Sequence, residues 1–158
     1  MSAPDALRAW VEDWTRRGRG DLRLGELGLA DADFDSFELI AFHAQQCAEK
    51  LIKAFLAKNG TDFEDQHDLE YLLGLVRRSD AALLADELDP VVALNRYAVR
   101  TRYPGRYPAV SPTEAEGAMR IASTTAAVIL PRVSYVASPT VKSLRDRLRE
   151  QREREQPD

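Results

Sequence analysis

Four arginines, Arg96, Arg100, Arg102 and Arg106, interleave with Tyr97, Tyr103 and Tyr107 in a stretch that has no acidic residue from Pro90 to Thr113. Arg96 and Arg100 are one helical turn apart, so in a helix both point the same way and could grip one phosphate. The tyrosines could stack a base. The competing use is structural: the arginines pair with the acidic run from Asp62 to Asp89, and the tyrosines pack in the core. That run holds nine acidic residues against two basic ones, Arg77 and Arg78. The local absence of acids tips the balance toward an anion site. The net charge of −4 argues against wholesale polyanion binding, so any such site is local.

A second polar set is Gln46, Glu49, Lys50 and Lys53. Its lysines could bind phosphate as point charges in a nucleotide cleft. The plainer expectation is an interhelical network, with Glu49 paired to Lys53 at i,i+4 and Gln46 bridging to a neighbouring loop. His67 and Asp68 fall where a helix should start, so capping is expected of them before catalysis, with a contact to Glu49 or Lys50. His43 and His67 lie too far apart, without a tight carboxylate or cysteine set, to make a metal site, and no cofactor is called for. Cys47 is the single cysteine and sits among apolar neighbours, which predicts a packed thiol and a reducing, cytoplasmic setting.

The elements that must position these residues are helices. The spacing of Leu7, Val11, Trp14, Gly18, Leu22, Gly25 and Leu29 predicts one helix from about Pro4 to Leu29, with Gly18 and Gly25 marking a close approach, and the rival reading is a break near Gly18-Arg19-Gly20. Trp10 and Trp14 are expected to be core or dimer-interface anchors. A second helix should open at Asp35, with Glu38 closing a capping box, and run to Lys58 before Asn59-Gly60. Its buried stripe is Phe37, Ile40, Ala41, Ala44, Ala48, Leu51, Phe55 and Leu56. Shorter helices follow at about 67–76 and 79–88, and Asp89-Pro90 marks a restart or bend. The next helix must end before Pro104. Ser111-Pro112-Thr113-Glu114 is a full start signal for a long helix, with a kink expected at Pro131. Ser138-Pro139 repeats the device ahead of a charged tail. The expected fold is all-α, an antiparallel up-and-down bundle of about five helices. Residues 1–137 form the bundle and 138–158 a charged helix or tail.

The 158 residues, 44% hydrophobic and 30% charged, suit one soluble globular domain. No apolar run reaches the roughly 20 residues of a spanning helix. Met1 to Trp14 lacks the apolar stretch of a signal peptide.

The run from Phe42 to Ala54 resembles the helix signature of the HEPN domain family, with Phe42, Gln46, Glu49, Lys50, Lys53 and Ala54 at its positions. His67-Asp68-Leu69 with Leu72 and Leu73 resembles the family's next element. Tyr97 to Pro104 is similar to the segment of its RYP-type subgroup, and Trp14 with Asp21-Leu22 to its first helix. The resemblance implies a helical bundle, commonly a homodimer with a cleft between protomers. It implies a role as an RNA-cleaving toxin–antitoxin or defence component, or as a domain beside a nucleotidyltransferase. Cleaving members carry an arginine and, a few residues later, a histidine. Arg96 matches that arginine, while the matching window holds Thr101, Arg102 and Tyr103 and no histidine. Cleavage by 2′-hydroxyl attack needs a proton-moving group as well as one that holds the developing phosphorane charge. Arg96 can do the second, and none of the three window residues is a good base at neutral pH. The expectation is therefore a nucleotide- or RNA-binding dimer using Arg96, Arg100, Arg102, Tyr103, Lys50 and Lys53, with weak or no ribonuclease activity. The alternative is a non-catalytic module that partners a separately encoded minimal nucleotidyltransferase. The chain has no nucleotidyltransferase motif of its own.

Overall fold

The computed structural model describes residues 2–79, 82–100 and 107–135. The charged unit expected at 138–158 lies outside them, as do Arg102, Tyr103 and Arg106. Ser2 caps the first helix, α1 (Ala3–Ala30), through a closed capping box with Asp5, and Pro4 sits in the first turn. The helix runs unbroken through Gly18 and Gly20 because Gly18 lies against α2 (Phe37–Lys58). A Cβ on Gly18 would stand 2.9 Å from Leu51 Cγ, and one on Gly25 would stand only 2.4 Å from Met119 Sδ. The apolar stripe of α1 is therefore buried at its middle, while Leu7 and Leu29 at its ends stay exposed.

The second helix is the axis of the bundle, with Ile40, Ala41, Ala44, Cys47, Ala48, Leu51 and Ile52 almost wholly covered. Its start differs from the expected Asp35–Glu38 box. Ser36 is the cap residue and makes no side-chain cap bond, and Glu38 closes no box but accepts the Val110 N–H at 3.2 Å. A tertiary acceptor role has displaced the local one.

Beyond Asn59 the chain forms α3 (Leu69–Arg77), α4 (Ala82–Leu88), a 3-10 segment (Asp89–Leu94) and α5 (Tyr97–Arg100). The restart at Asp89-Pro90 is thus a 3-10 turn, with Leu88 as its cap residue and Asp89 paired to Arg77. Then α6 (Pro112–Val133) opens with the Ser111–Glu114 capping box and continues through Pro131. The link between α1 and α2 is short, and they pack antiparallel, Gly28 near Ile40 and Gly18 near Leu51. By contrast α2 and α6 run the same way. Val110 meets Glu38 at their starts, and Lys58 Nζ donates to the carbonyls of Arg132 and Ser134, 3.0 Å each, at their ends. The short helices α3 to α5 carry the chain back between the two. The architecture is an all-helical bundle, without a strand among the described residues. No described helix is long and apolar enough to cross a membrane.

Candidate functional site

Gln46, Glu49, Lys50 and Lys53 project from one stretch of α2, and a helix places residues three and four apart on neighbouring faces. Glu49 is the centre of a buried network. Its Oε1 accepts from Lys53 Nζ at 2.9 Å and from His67 Nδ1 at 3.0 Å, and its Oε2 accepts from Gln45 Nε2 at 3.0 Å. Gln46 Nε2 donates to Gln45 Oε1 at 2.7 Å and approaches Glu49 at 3.5 Å. An ionised carboxylate can only accept, so His67 presents its Nδ1–H to it. Burial pushes the Glu49 carboxyl up. The hydrogen bonds from Lys53, Gln45 and His67, with the charge of Lys53, outweigh it and hold the group below its usual range. Lys53 is 1% exposed, and its ammonium lies over the rings of Trp14 and Phe63 at 5.2 and 5.9 Å. Trp10 stacks on Phe63, and Trp14 meets both rings edge-on.

Lys50 belongs to a separate cluster. Asp21 of α1, nearly buried, accepts from Lys50 Nζ at 2.5 Å through one oxygen and bonds His43 Nδ1 at 2.9 Å through the other. One carboxylate thus ties α1 to two separate turns of α2. Lys50 and Lys53, expected from the sequence as phosphate ligands, each already face a carboxylate inside the protomer. A buried charge without a partner costs several kcal/mol, on the order of 3–5 when a pair is broken, which holds the covered Lys53 to Glu49, whereas Lys50 is only partly covered beside Asp21. Sequence reasoning passed over Gln45 and foresaw no link between Asp21 and His43. A signal was present for Asp21, which sits seven residues from Trp14 on α1, the spacing that returns a helix to the same face.

Asp68 caps α3: its Oδ1 accepts the Glu70 N–H at 2.9 Å and Asn95 Nδ2 at 2.7 Å. Asn95 completes the clasp by accepting the Leu69 N–H at 2.8 Å. Next to it stands Arg96, whose side chain is 48% exposed. It donates to the Tyr97 hydroxyl at 2.5 Å, lies over that ring at 4.7 Å, and is 3.5 Å from Glu114 Oε1. The other oxygen of Glu114 holds the Ser111 N–H at 2.9 Å. Tyr97 is buried and so serves as a floor for Arg96, not as a stacking platform. Arg100 ends α5, and its side chain, like Arg102 and Tyr103, lies outside the described residues. Among the described residues no cluster of three histidine, cysteine or acidic groups is placed to hold a metal ion. Cys47 is fully buried, and burial first, then the nearby Asp21 charge, pushes its thiol up to about 12.

Two solved structures share this helical arrangement. One is the crystal structure of ST0689, an archaeal HEPN homologue, 24% identical, with a TM-score of 0.58 over 78% of this chain and 98% of that one. The other is the crystal structure of TT1696 from Thermus thermophilus, also 24% identical, with a TM-score of 0.60 over 77% and 97%. At such identities the likeness speaks for the fold alone. No curated protein sequence matches the chain. The HEPN domain family matches residues 11–129, which takes in α1 from Val11 onward, the buried network of α2, the Asp68 clasp and most of α6. With the motifs from Trp14 to Tyr97 embedded in that match, the chain belongs to the HEPN domain family.

Proposed function

We propose that the protein binds nucleotide or RNA phosphate at the Arg96-led arginine–tyrosine segment, as a dimeric, cytoplasmic toxin–antitoxin or defence component with weak or no ribonuclease activity. The observation that carries this is the state of Arg96. Its guanidinium is half exposed and heads a run without acids, and its one described carboxylate neighbour is shared with the helix cap at Ser111. Exposed pairs of this kind contribute about 0–1 kcal/mol, so a phosphate with two oxygens to offer can displace it. Arg100, Arg102 and Tyr103 would extend the site. Lys50 and Lys53 are left out of it by their internal pairs. The described partners of Arg96 are Tyr97 and Glu114, and neither is a base suited to moving a proton at neutral pH.

The test is fluorescence anisotropy of labelled single-stranded RNA at several salt concentrations. Wild-type affinity should fall with log salt, and Arg96→Glu should weaken it at least tenfold and reduce the slope by about 1. Equal binding by both proteins refutes the site. Robust metal-independent cleavage lost in Arg96→Ala refutes the weak-or-absent nuclease part.

A second reading is a non-catalytic dimeric module that partners a separately encoded minimal nucleotidyltransferase. It is favoured by an apolar groove of about 340 Å³ between α1 and α2, lined by Leu24, Leu27, Phe34 and Leu39, with the three leucines about half exposed. Stable co-purification with such an enzyme, abolished by Leu24→Glu and accompanied by no RNA affinity, would select this reading.

A further inference from the structure

Thirteen lysine and arginine side chains are described, and nine of them have a carboxylate within 4 Å. The four without one among the described residues are Arg19, Lys58, Arg78 and Arg132. Three of these, Lys58, Arg78 and Arg132, converge on a single cavity of about 620 Å³ at one end of the bundle, with no acidic residue among its described lining. Asn59 and Thr61 add polar groups to the wall, and Phe55 adds an apolar face.

These cations stand where α2, α3 and α6 finish, and basic groups at helix C-termini stabilise the helix dipole. That local role does not exhaust them. Each helix end is equivalent to about half a negative charge, so three ends offset roughly 1.5 of three positive charges. Two of the side chains are held in place by carbonyls, which fix position without cancelling charge. Lys58 gives two of its three donors to the carbonyls of Arg132 and Ser134, and its ammonium rests over Tyr135 at 4.7 Å. Arg132 gives one N–H to the Val128 carbonyl at 2.5 Å and keeps the rest of its fork.

We propose that this cavity binds a phosphorylated small molecule of nucleotide size, with Lys58, Arg78 and Arg132 receiving the phosphate oxygens and the wall at Phe55 receiving the remainder. The volume falls inside the range of about 300–1,000 Å³ usual for small-molecule sites. The site is built from the ends of α2, α3 and α6 and owes nothing to Arg96, so the two stand or fall separately.

The experiment is isothermal titration calorimetry on the full chain at constant ionic strength, using ADP, inorganic phosphate and adenosine. ADP should bind, phosphate should bind more weakly, and adenosine should not bind. Arg78→Gln and Arg132→Gln should each weaken ADP at least tenfold, while Arg120→Gln, an exposed arginine paired with Glu116, should leave it unchanged. Circular dichroism melts establish that each variant is folded, and Lys58→Met serves if an arginine variant is not. The proposal is overturned if no phosphate-bearing compound binds, if adenosine binds as well as ADP, or if ADP affinity drops in Arg96→Glu but holds in Arg78→Gln and Arg132→Gln.

Discussion

Replacing Lys53 by methionine removes the ammonium from the buried network and leaves the Glu49 carboxylate without its full counter-charge. Both side chains are nearly inaccessible, at 1% and 3% exposure, so solvent does little to compensate. Breaking a buried pair from one side costs about 3–5 kcal/mol. Glu49 keeps its bonds from His67 and Gln45, and methionine still packs on Trp14 and Phe63, which points to the lower end, about 3 kcal/mol at pH 7. The pH dependence is the sharper test. In the wild type the Glu49 carboxyl is held low. Its contribution is therefore present above the unfolded-state value near 4.5 and is lost as pH falls through the lower folded value. In Lys53→Met burial remains and the strongest lowering partner is gone, so the folded carboxyl rises from its wild-type position. The cost then applies at neutral pH and is relieved on acidification, as Glu49 takes up a proton. Urea unfolding followed by tryptophan fluorescence at about pH 7.5, 6.0 and 4.5 should show the deficit shrinking to about 1 kcal/mol, the share of the lost cation–ring contact. The double variant Glu49→Gln/Lys53→Met should recover most of the loss at neutral pH. A neutral-pH deficit below about 1 kcal/mol, or one that does not change with pH, would refute the assignment of Glu49 and Lys53 as a mutually dependent buried pair.

Four further outcomes are expected. Gly18→Ala should destabilise by about 0–2 kcal/mol in urea melts, the clash with Leu51 costing about 1–3 and helix propensity returning about 1. Gly20→Ala, with nothing within 4 Å, should stabilise by about 1 kcal/mol in the same melts, and equal responses would remove the close approach of α1 and α2. Asp21→Asn should cost about 1–3 kcal/mol by loosening His43 and Lys50 together, and an unchanged urea midpoint would mean the bridge carries nothing. The Cys47 thiol, pushed up to about 12 and fully covered, should resist a disulfide reagent at mildly alkaline pH until the chain unfolds. Labelling at the rate of a free thiol would contradict that burial.

Local signals are readable wherever neighbours in sequence settle the matter. The Ser111–Glu114 box closes within one turn, the glycines Gly18 and Gly25 lie on the apolar stripe of α1, and Glu49 and Lys53 are one turn apart. Signals fail where a partner arrives from far along the chain. Glu38 has the residue type and position of a box-closing acid, yet a backbone N–H from Val110 claims it. Lys50 looks like a free phosphate ligand until Asp21, 29 residues earlier, is brought against it. Lys58, Arg78 and Arg132 share no motif or spacing, and only the meeting of three helix ends gathers them. Arg96 is legible as a candidate from its acid-free surroundings, whereas its floor of buried Tyr97 is not.

The shared direction of α2 and α6 has a kinetic consequence. The first two helices can meet across the short link from Asp31 to Ser36, so their hairpin closes a small loop. The contacts of α6 and its approach with α2 span 72 to 76 residues and must wait until α3 to α5 have turned the chain around. Such separations raise the mean contact order above that of a plain helical hairpin stack, and loop entropy is spent before they return anything. Refolding should therefore proceed from the α1–α2 hairpin, with α6 closing the assembly last.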